Sequence, residues 1–141
     1  MFSRRTLVSL TVASGLAAAA CASYAPPRGP AYTLAGTRWT AESINGQPVA
    51  GAAPQIAFGA EYRLTGTGGC NRLSGVYETA GDRIAVRGLG RTRMACAAPV
   101  MSQEEAFVSI LDSANTVTQD GDRLVIAADD GQNVTFEQAP G

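Results

Sequence analysis

The motifs Gly66-Thr67-Gly68-Gly69-Cys70-Asn71 and Thr92-Arg93-Met94-Ala95-Cys96 decide the fold of this chain. Together they hold two of its three cysteines, and the first motif holds three of its sixteen glycines. Such a glycine run is typical of a turn or bulge where backbones approach closely. A phosphate-binding loop would also need a lysine and a following helix, and neither is present. The motifs therefore indicate a fold and not a reaction.

The composition limits the chemistry open to the chain. Its 141 residues are enough for one domain, and its eleven basic residues are all arginine, with no histidine. No side chain therefore has an unperturbed pKa near neutrality, which removes much ordinary acid–base catalysis. Without the two leader arginines, nine basic residues stand against twelve acids, a net charge of −3. This balance gives no basic surface for nucleic acid.

Residues 1–20 have the pattern of an export signal. Arg4 and Arg5 form a positive region, Thr6–Ala20 is apolar, and Ala18–Ala20 offers small residues to a peptidase. The apolar run is shorter than the twenty or so residues that a membrane span needs. We predict a signal peptide, and the arginine pair is compatible with either general or twin-arginine export.

Cys21 follows a stretch that resembles a lipobox, although Ala18 stands where a large aliphatic residue is usual. Pro26, Pro27 and Pro30 then give residues 21–32 the character of a tether. We predict lipidation at Cys21 and attachment to a membrane. Ala22 after the cysteine favours the outer membrane, facing the periplasm. The alternative is ordinary cleavage that leaves a soluble periplasmic or secreted protein.

Residues 33–138 form the predicted globular domain, in which apolar and polar residues alternate with a period of two. Trp39, Ala41 and Ser43 are expected on one face of the first strand. The Asn45-Gly46 pair that follows is a strong hairpin signal. We predict an α+β domain, mainly antiparallel β, with seven or eight short strands in a barrel-like or strongly curved sheet.

One segment has helical periodicity instead. Ser102 and Glu105 match a capping box, after which Phe107, Ile110 and Leu111 fall on one face. We predict a helix at about 103–113 that lies on the sheet or plugs one end of it. Glu104 and Glu105 suit the positive end of its dipole.

These features together resemble the META domain, a family that includes a bacterial heat-shock lipoprotein. The resemblance runs from about Leu34 to Phe136 and rests mainly on the order and spacing of the two cysteine motifs. It implies a small antiparallel β domain with one helix, on envelope proteins linked to heat shock and antibiotic tolerance, with no established enzymatic activity. The residues of this chain that match the family motifs, interpreted as structural, are Trp39, Gly69, Cys70, Asn71, Gly75, Thr92, Met94 and Cys96.

Cys70 and Cys96 are expected to form a disulfide, because two thiols outside the cytoplasm tend to pair. Two neighbouring buried thiols are the alternative, since a twin-arginine substrate folds before it is exported. Two cysteines without histidine give too few ligands for a metal site and no base to activate a nucleophile. We therefore predict no catalytic residue, no metal and no cofactor.

The remaining candidate residues are Asn71 and three arginines. Asn71 can bond its own backbone and fix a corner, which is a structural role. Arg87, Arg91 and Arg93 are a candidate patch for an anionic head group or a partner's carboxylates, or a solvated strand face. The predicted function is that of a non-enzymatic envelope lipoprotein that binds a partner under stress. The alternative is a small-molecule or lipid carrier in the periplasm.

Overall fold

A computed structural model describes residues 33–141. The predicted signal peptide and tether, with the lipidation expected at Cys21, lie outside the described residues. The described chain forms one α-helix, α1 (Ala98–Asp112), one short 3-10 turn (Ala60–Tyr62), and the strands β1 (Thr37–Ile44), β2 (Gln47–Pro48), β3 (Gln55–Phe58), β4 (Arg63–Thr67), β5 (Arg72–Ala80), β6 (Arg83–Arg91), β7 (Ala114–Asp120), β8 (Arg123–Ala128) and β9 (Asn133–Gln138).

The strands form a closed antiparallel barrel. From β3 to β9 each strand pairs with its neighbour in sequence, and β1 pairs with both β3 and β9, which closes the sheet. The two-residue strand β2 folds back on the end of β1 through a hairpin at Asn45 and Gly46, with φ of 51° and 76°. Positive φ at both positions is what a type I′ turn requires. The predicted barrel-like antiparallel fold and this hairpin are confirmed.

Alternate side chains of each strand point into the barrel and form its core. Their apolar surface is removed from water, which is the main favourable contribution to folding. The largest of these buried strand residues are Trp39, Phe58, Phe136, Ile56, Leu64, Leu124 and Ile126.

A bulge in β1 changes which of its residues face inward. The register against β9 shifts between Ala41 and Ser43, and Ile44 is buried while Ser43 is only partly covered. An extra residue in one strand reverses the alternation beyond it. The expectation that Ser43 shares a face with Trp39 and Ala41 is therefore wrong.

The helix begins five residues earlier than predicted. It starts at Ala98, with Ala97 in the N-cap position and no side-chain cap, so Ser102 lies inside the helix and is not a capping residue. Pro99 occupies the first turn, where its missing N–H is not needed and its fixed φ suits the helix. Within residues 33–141 no helix combines the length and apolarity needed to span a bilayer.

The helix covers one end of the barrel. It packs against β1, β6, β8 and β9, and it buries Phe107, Ile110 and Leu111. The Phe107 ring meets the Phe136 ring of β9 edge to face, with centroids 6.0 Å apart. The β4–β5 loop and the segment between β6 and α1, which carry the two cysteine motifs, lie at this end.

Candidate functional site

A disulfide joins the two cysteine motifs beside the helix. Cys70 lies in the loop between β4 and β5, and Cys96 lies between β6 and α1. Their sulfur atoms are bonded at 2.00 Å, with Cα atoms 6.1 Å apart. The predicted disulfide is confirmed. Cys70 is buried while Cys96 is exposed, so the bond runs from the core to the surface.

A buried carboxylate from α1 organises the residues around this disulfide. The Glu104 side chain is 0% exposed. Its Oε2 accepts hydrogen bonds from the backbone N–H groups of Cys70 (3.1 Å) and Asn71 (2.6 Å), and its Oε1 accepts one from Asn71 Nδ2 (2.6 Å). We call this group the Glu104 cluster; its members are Cys70, Asn71, Thr92, Met94, Cys96 and Glu104.

Arg91, at the end of β6, supplies a positive charge to the cluster. Its Nη1 is 3.9 Å from Glu104 Oε1, and its Nη2 donates a hydrogen bond of 2.6 Å to Glu105 Oε1. The Arg91 side chain is one-third exposed, at 33%. It therefore lies between the buried carboxylate of Glu104 and the exposed carboxylate of Glu105.

These contacts decide the charge state of Glu104. Burial by itself raises the pKa of this carboxyl, because it disfavours the charged form. Hydrogen bonds from the backbone and side chain of Asn71, the backbone N–H of Cys70 and the charge of Arg91 act in the opposite direction. Together they outweigh burial and hold the Glu104 pKa below its ordinary value. Glu104 is therefore an anion throughout the neutral range.

The Asn71 amide uses all of its hydrogen-bonding capacity inside the cluster. Its Nδ2 donates to Glu104 Oε1 and to the Met94 carbonyl at 3.3 Å. Its Oδ1 accepts from the Thr92 hydroxyl at 2.9 Å and the Met94 N–H at 2.6 Å. The expectation that Asn71 bonds its own backbone is therefore wrong, because its side chain instead connects the first motif to the second motif and to the helix.

Two glycines of the first motif make room for this arrangement. A Cβ on Gly68 would collide with the Glu104 side chain, and one on Gly69 would lie 2.8 Å from the Ala52 carbonyl oxygen. Gly69 also has a φ of +107°, which other residues rarely adopt. The glycine run is therefore a site of close approach, as expected; Gly68 approaches the Glu104 side chain, and Gly69 approaches the backbone of Ala52.

Other candidate residues lie apart from the cluster. Trp39 is buried in the barrel core and donates its indole N–H to Thr37 Oγ1 at 2.7 Å. Gly75 of β5 lies opposite a bulge in β6, packed against the Arg87 carbonyl.

The three arginines of the predicted patch do not share a partner. Arg87 makes an exposed ion pair of 3.5 Å with Glu78, whereas Arg91 pairs with Glu104 and Glu105. Arg93 has no ion pair within the described residues and is exposed. Of the three, only Arg91 belongs to the surroundings of the buried carboxylate.

Glu104 is the residue that sequence reasoning placed wrongly. Its place near the predicted start of the helix suggests an interaction with the helix dipole, yet it precedes Phe107 by three residues and Leu111 by seven, which puts it on the buried face of α1. A carboxylate on an apolar helix face needs hydrogen-bond partners. That rule was the available signal, and the backbone of the glycine-rich loop supplies the partners.

An open surface cleft of about 650 Å3 adjoins the cluster. Asn71, Arg91, Arg93, Met94 and Met101 are among the residues that line it. Across residues 33–141 no group of three or more histidine, cysteine, aspartate or glutamate side chains is placed to hold a metal ion. The site thus combines a satisfied polar interior with a cleft that presents arginine and methionine.

The fold and site define a class: a small closed antiparallel barrel, covered at one end by a helix whose buried glutamate binds a disulfide-linked loop. The META domain profile matches residues 32–141, and the chain belongs to the META domain family. It is 31% identical over 105 residues to the heat shock protein HslJ of Escherichia coli (strain K12), covering 72% of this chain and 74% of HslJ.

Solved structures share this fold. A protein solved by NMR is 30% identical to this chain, with a TM-score of 0.61, over 72% of this chain and 87% of its own. A second NMR structure, of a protein from Burkholderia xenovorans, is 23% identical with a TM-score of 0.62. That match covers 83% of this chain and 99% of the other, and at this identity it shows the fold alone.

Proposed function

We propose that this chain is a non-enzymatic cell-envelope lipoprotein that supports the cell under envelope stress by binding a partner through its surface. The observation that carries the proposal is the Glu104 cluster. Its charged and polar side chains bond to one another, so the most distinctive residues of the chain stabilise a fold and leave no group free to react.

The charge state of Glu104 supports a structural role. A general base needs a pKa near the working pH and access to its substrate. Glu104 has a lowered pKa and no exposed surface. The neighbouring sulfur atoms are joined in a disulfide, so neither is a thiolate nucleophile.

The envelope location rests on the leader and on the relative. Residues 1–20 have the pattern of an export signal, and Cys21 with its proline-rich tether suits a lipid anchor at the outer membrane, facing the periplasm. The disulfide fits an oxidising compartment outside the cytoplasm. The name of HslJ as a heat shock protein favours a role under stress. Antibiotic tolerance is part of the same proposal, and it rests on the family resemblance rather than on that name.

The alternative function, carriage of a small molecule or lipid, has less support. A carrier barrel needs an interior cavity, and the inward side chains here fill the interior, with Trp39, Phe58 and Phe136 at most 1% exposed. The clefts along the outside of the barrel are open ones. They suit a partner's surface better than an enclosed ligand.

The anchor is tested by the intact mass, without reductant, of the protein extracted from its native membranes. We expect a chain that starts at Cys21, carries added acyl mass and lacks the two hydrogens of the disulfide. An unacylated chain cut near Ala20 or Ala22 would contradict the anchor and indicate a soluble periplasmic or secreted domain.

The stress role is tested with a deletion strain complemented by the wild type or by Cys21→Ser. We expect the deletion to lower survival after heat shock or exposure to the antibiotic novobiocin. The wild-type protein should restore survival, and Cys21→Ser should restore it only in part. A deletion strain that survives as well as its parent would contradict the stress role.

A further inference from the structure

Charge is divided unevenly over the surface of the barrel. Residues 63–93, which include β4 to β6, contain six arginines and two acids, a net charge of +4. Residues 98–141, which include α1 and β7 to β9, contain one arginine and eight acids, a net charge of −7. The domain is acidic in total, yet one side of it is basic.

The strand register places Arg63, Arg72 and Arg87 on one outer face of the barrel. Leu64 and Tyr77 point into the core, so Arg63 on β4 and Val76 on β5 point outward. Val76 pairs with Arg63 on one side and with Arg87 of β6 on the other. Arg72 lies further along the same face of β5. We call this surface the basic face; its strand arginines are Arg63, Arg72 and Arg87, and the exposed Arg93 lies just beyond the end of β6.

Much of this positive charge is free to interact with a partner. Arg63, Arg72 and Arg93 are exposed and make no ion pair within residues 33–141. The side chains of Arg87 and Glu78 are each 65% exposed, and ion pairs as exposed as this one contribute little to stability. Arg91 does not belong to the basic face, because it pairs with the buried Leu73 and its charge is held by Glu104 and Glu105 at the helix end of the barrel.

Exposed apolar side chains accompany the same arginines. Among the described residues, the large hydrophobic side chains that remain exposed are Tyr62 (64%), Val76 (46%) and Met94 (55%). Val76 lies between Arg63 and Arg87 on the basic face. Tyr62 lies at one end of this face, with its ring against that of Tyr77, and Met94 follows Arg93 at the other end. Arginine combined with exposed aromatic and aliphatic side chains is the composition of proteins that bind the interface of anionic membranes.

We propose that the basic face binds the surface of a bilayer that contains anionic phospholipids. The arginines attract the head groups, while Tyr62, Val76 and Met94 enter the interfacial layer. The acidic side made by α1 and β7–β9 is repelled, so the domain takes one orientation on the membrane. This inference goes beyond lipid anchoring, because it concerns the folded domain and holds whether or not Cys21 is acylated.

The test is co-sedimentation with vesicles of phosphatidylcholine alone or of phosphatidylcholine with phosphatidylglycerol. The protein is the chain of residues 21–141 with Cys21→Ser, so that neither leader nor acyl chain contributes. The barrel closes within Thr37–Gln138 around its own core, and the fluorescence of buried Trp39 reports its folding. We expect binding to the phosphatidylglycerol vesicles, weakened by salt, and none to phosphatidylcholine alone.

Matched variants locate the binding surface. Arg63→Gln and Arg72→Gln should each lower the partition coefficient about five-fold at low salt. Arg123→Gln is the control, because Arg123 is also an exposed strand arginine but lies on the acidic side. Tyr62→Asn tests the apolar contribution and should weaken binding without changing its dependence on salt; asparagine tolerates the φ of +59° at this position.

Three results would overturn the proposal: equal binding to neutral vesicles, no binding to anionic vesicles, or a loss with Arg123→Gln as large as with Arg63→Gln. Absence of vesicle binding would direct the search to an acidic protein partner instead. The result is separate from the proposed stress role, since it needs neither acylation nor a growth phenotype.

Discussion

Glu104 keeps a negative charge at a position from which water is excluded. Such a charge is tolerated only when hydrogen bonds and an opposite charge replace its hydration. Two backbone N–H groups, one amide and one guanidinium do so here. All of these donors lie outside α1, on Cys70, Asn71 and Arg91. The residue therefore acts as a connection between the helix and both cysteine motifs.

Replacing Glu104 should destabilise the protein strongly. In Glu104→Gln the new amide must place its own N–H groups opposite either Asn71 Nδ2 or the two backbone N–H groups, so one contact between donors is unavoidable. We expect a loss of about 2 to 3 kcal/mol in the free energy of unfolding. Glu104→Ala should cost about 3 to 5 kcal/mol. Urea unfolding measures both.

The matched control for these variants is Glu105→Gln, the next residue and an exposed one. It should change the free energy of unfolding by less than about 1 kcal/mol, since it removes only a surface ion pair with Arg91. Equal losses for Glu104→Gln and Glu105→Gln would contradict the role assigned to the buried carboxylate.

The same residue should make stability depend on pH in the acid range. The pKa of Glu104 is lower in the folded protein than its ordinary value of 4.5. Its contribution to stability is therefore fully present above pH 4.5 and is lost as pH falls through the folded pKa. We expect the difference in urea midpoint between wild type and Glu104→Gln to shrink as the pH is lowered. The other carboxyl groups are present in both proteins, so their effect on the pH dependence cancels in this difference. A difference in urea midpoint that stays constant as the pH falls would contradict the prediction.

At the scale of elements, three segments that are not joined to one another by strand pairing meet at one end of the barrel. The β4–β5 loop, the segment after β6 and the helix are held together by the disulfide, the Asn71 amide and the Glu104 carboxylate. The segment between β6 and α1 is exposed along most of its length. Its position depends on these few contacts rather than on burial.

Reduction of the disulfide should therefore destabilise the domain. The bond closes a loop with a sequence separation of 26 residues, which contributes about 3 kcal/mol in the chain-entropy model. Reductant should lower the melting temperature of the wild type and of Cys21→Ser alike. The double variant Cys70→Ser/Cys96→Ser should have a lower melting temperature than the oxidised wild type, and reductant should not change it. Unchanged melting of the wild type under reductant would contradict a stabilising disulfide.

At the scale of the whole molecule, the barrel is closed unevenly. The β1–β9 seam joins five residue pairs, whereas the β6–β7 seam has a single paired position, Arg83 with Thr116. The helix is inserted between β6 and β7 in the sequence. This seam is also the boundary between the basic strands and the acidic part of the barrel.

The β6–β7 seam should open before the rest of the barrel. Local opening follows the regions with the fewest backbone hydrogen bonds. Under native conditions we expect amide hydrogens along β6 that face β7 to exchange faster than those between β1 and β9, measured by NMR. Val117 N–H, bonded to the Asp82 carbonyl at 2.8 Å, is the sensitive reporter of this seam. Protection of both seams to the same extent would contradict the expectation.

The sequence by itself determined the features whose cause is local. Alternation of apolar and polar residues predicts the strands, and Asn45-Gly46 predicts the hairpin. The helical spacing of Phe107, Ile110 and Leu111 predicts the helix and its buried face. Local rules failed where two of them competed. Ser102 fits a capping box, yet Pro99 starts the helix earlier because the first turn does not need its N–H.

Only the tertiary structure decided the partners of the polar residues. Whether Glu104 faces water or a glycine-rich loop depends on where the helix lies against the barrel, and that follows from packing across the whole core. The bulge that turns Ile44 inward likewise depends on the register with β9, where its partner Val134 is ninety positions away in the sequence. The basic face exists because antiparallel pairing aligns Arg63, Val76 and Arg87, which are distant in sequence. Contacts of this kind arise from closure of the sheet, which no local stretch of sequence encodes.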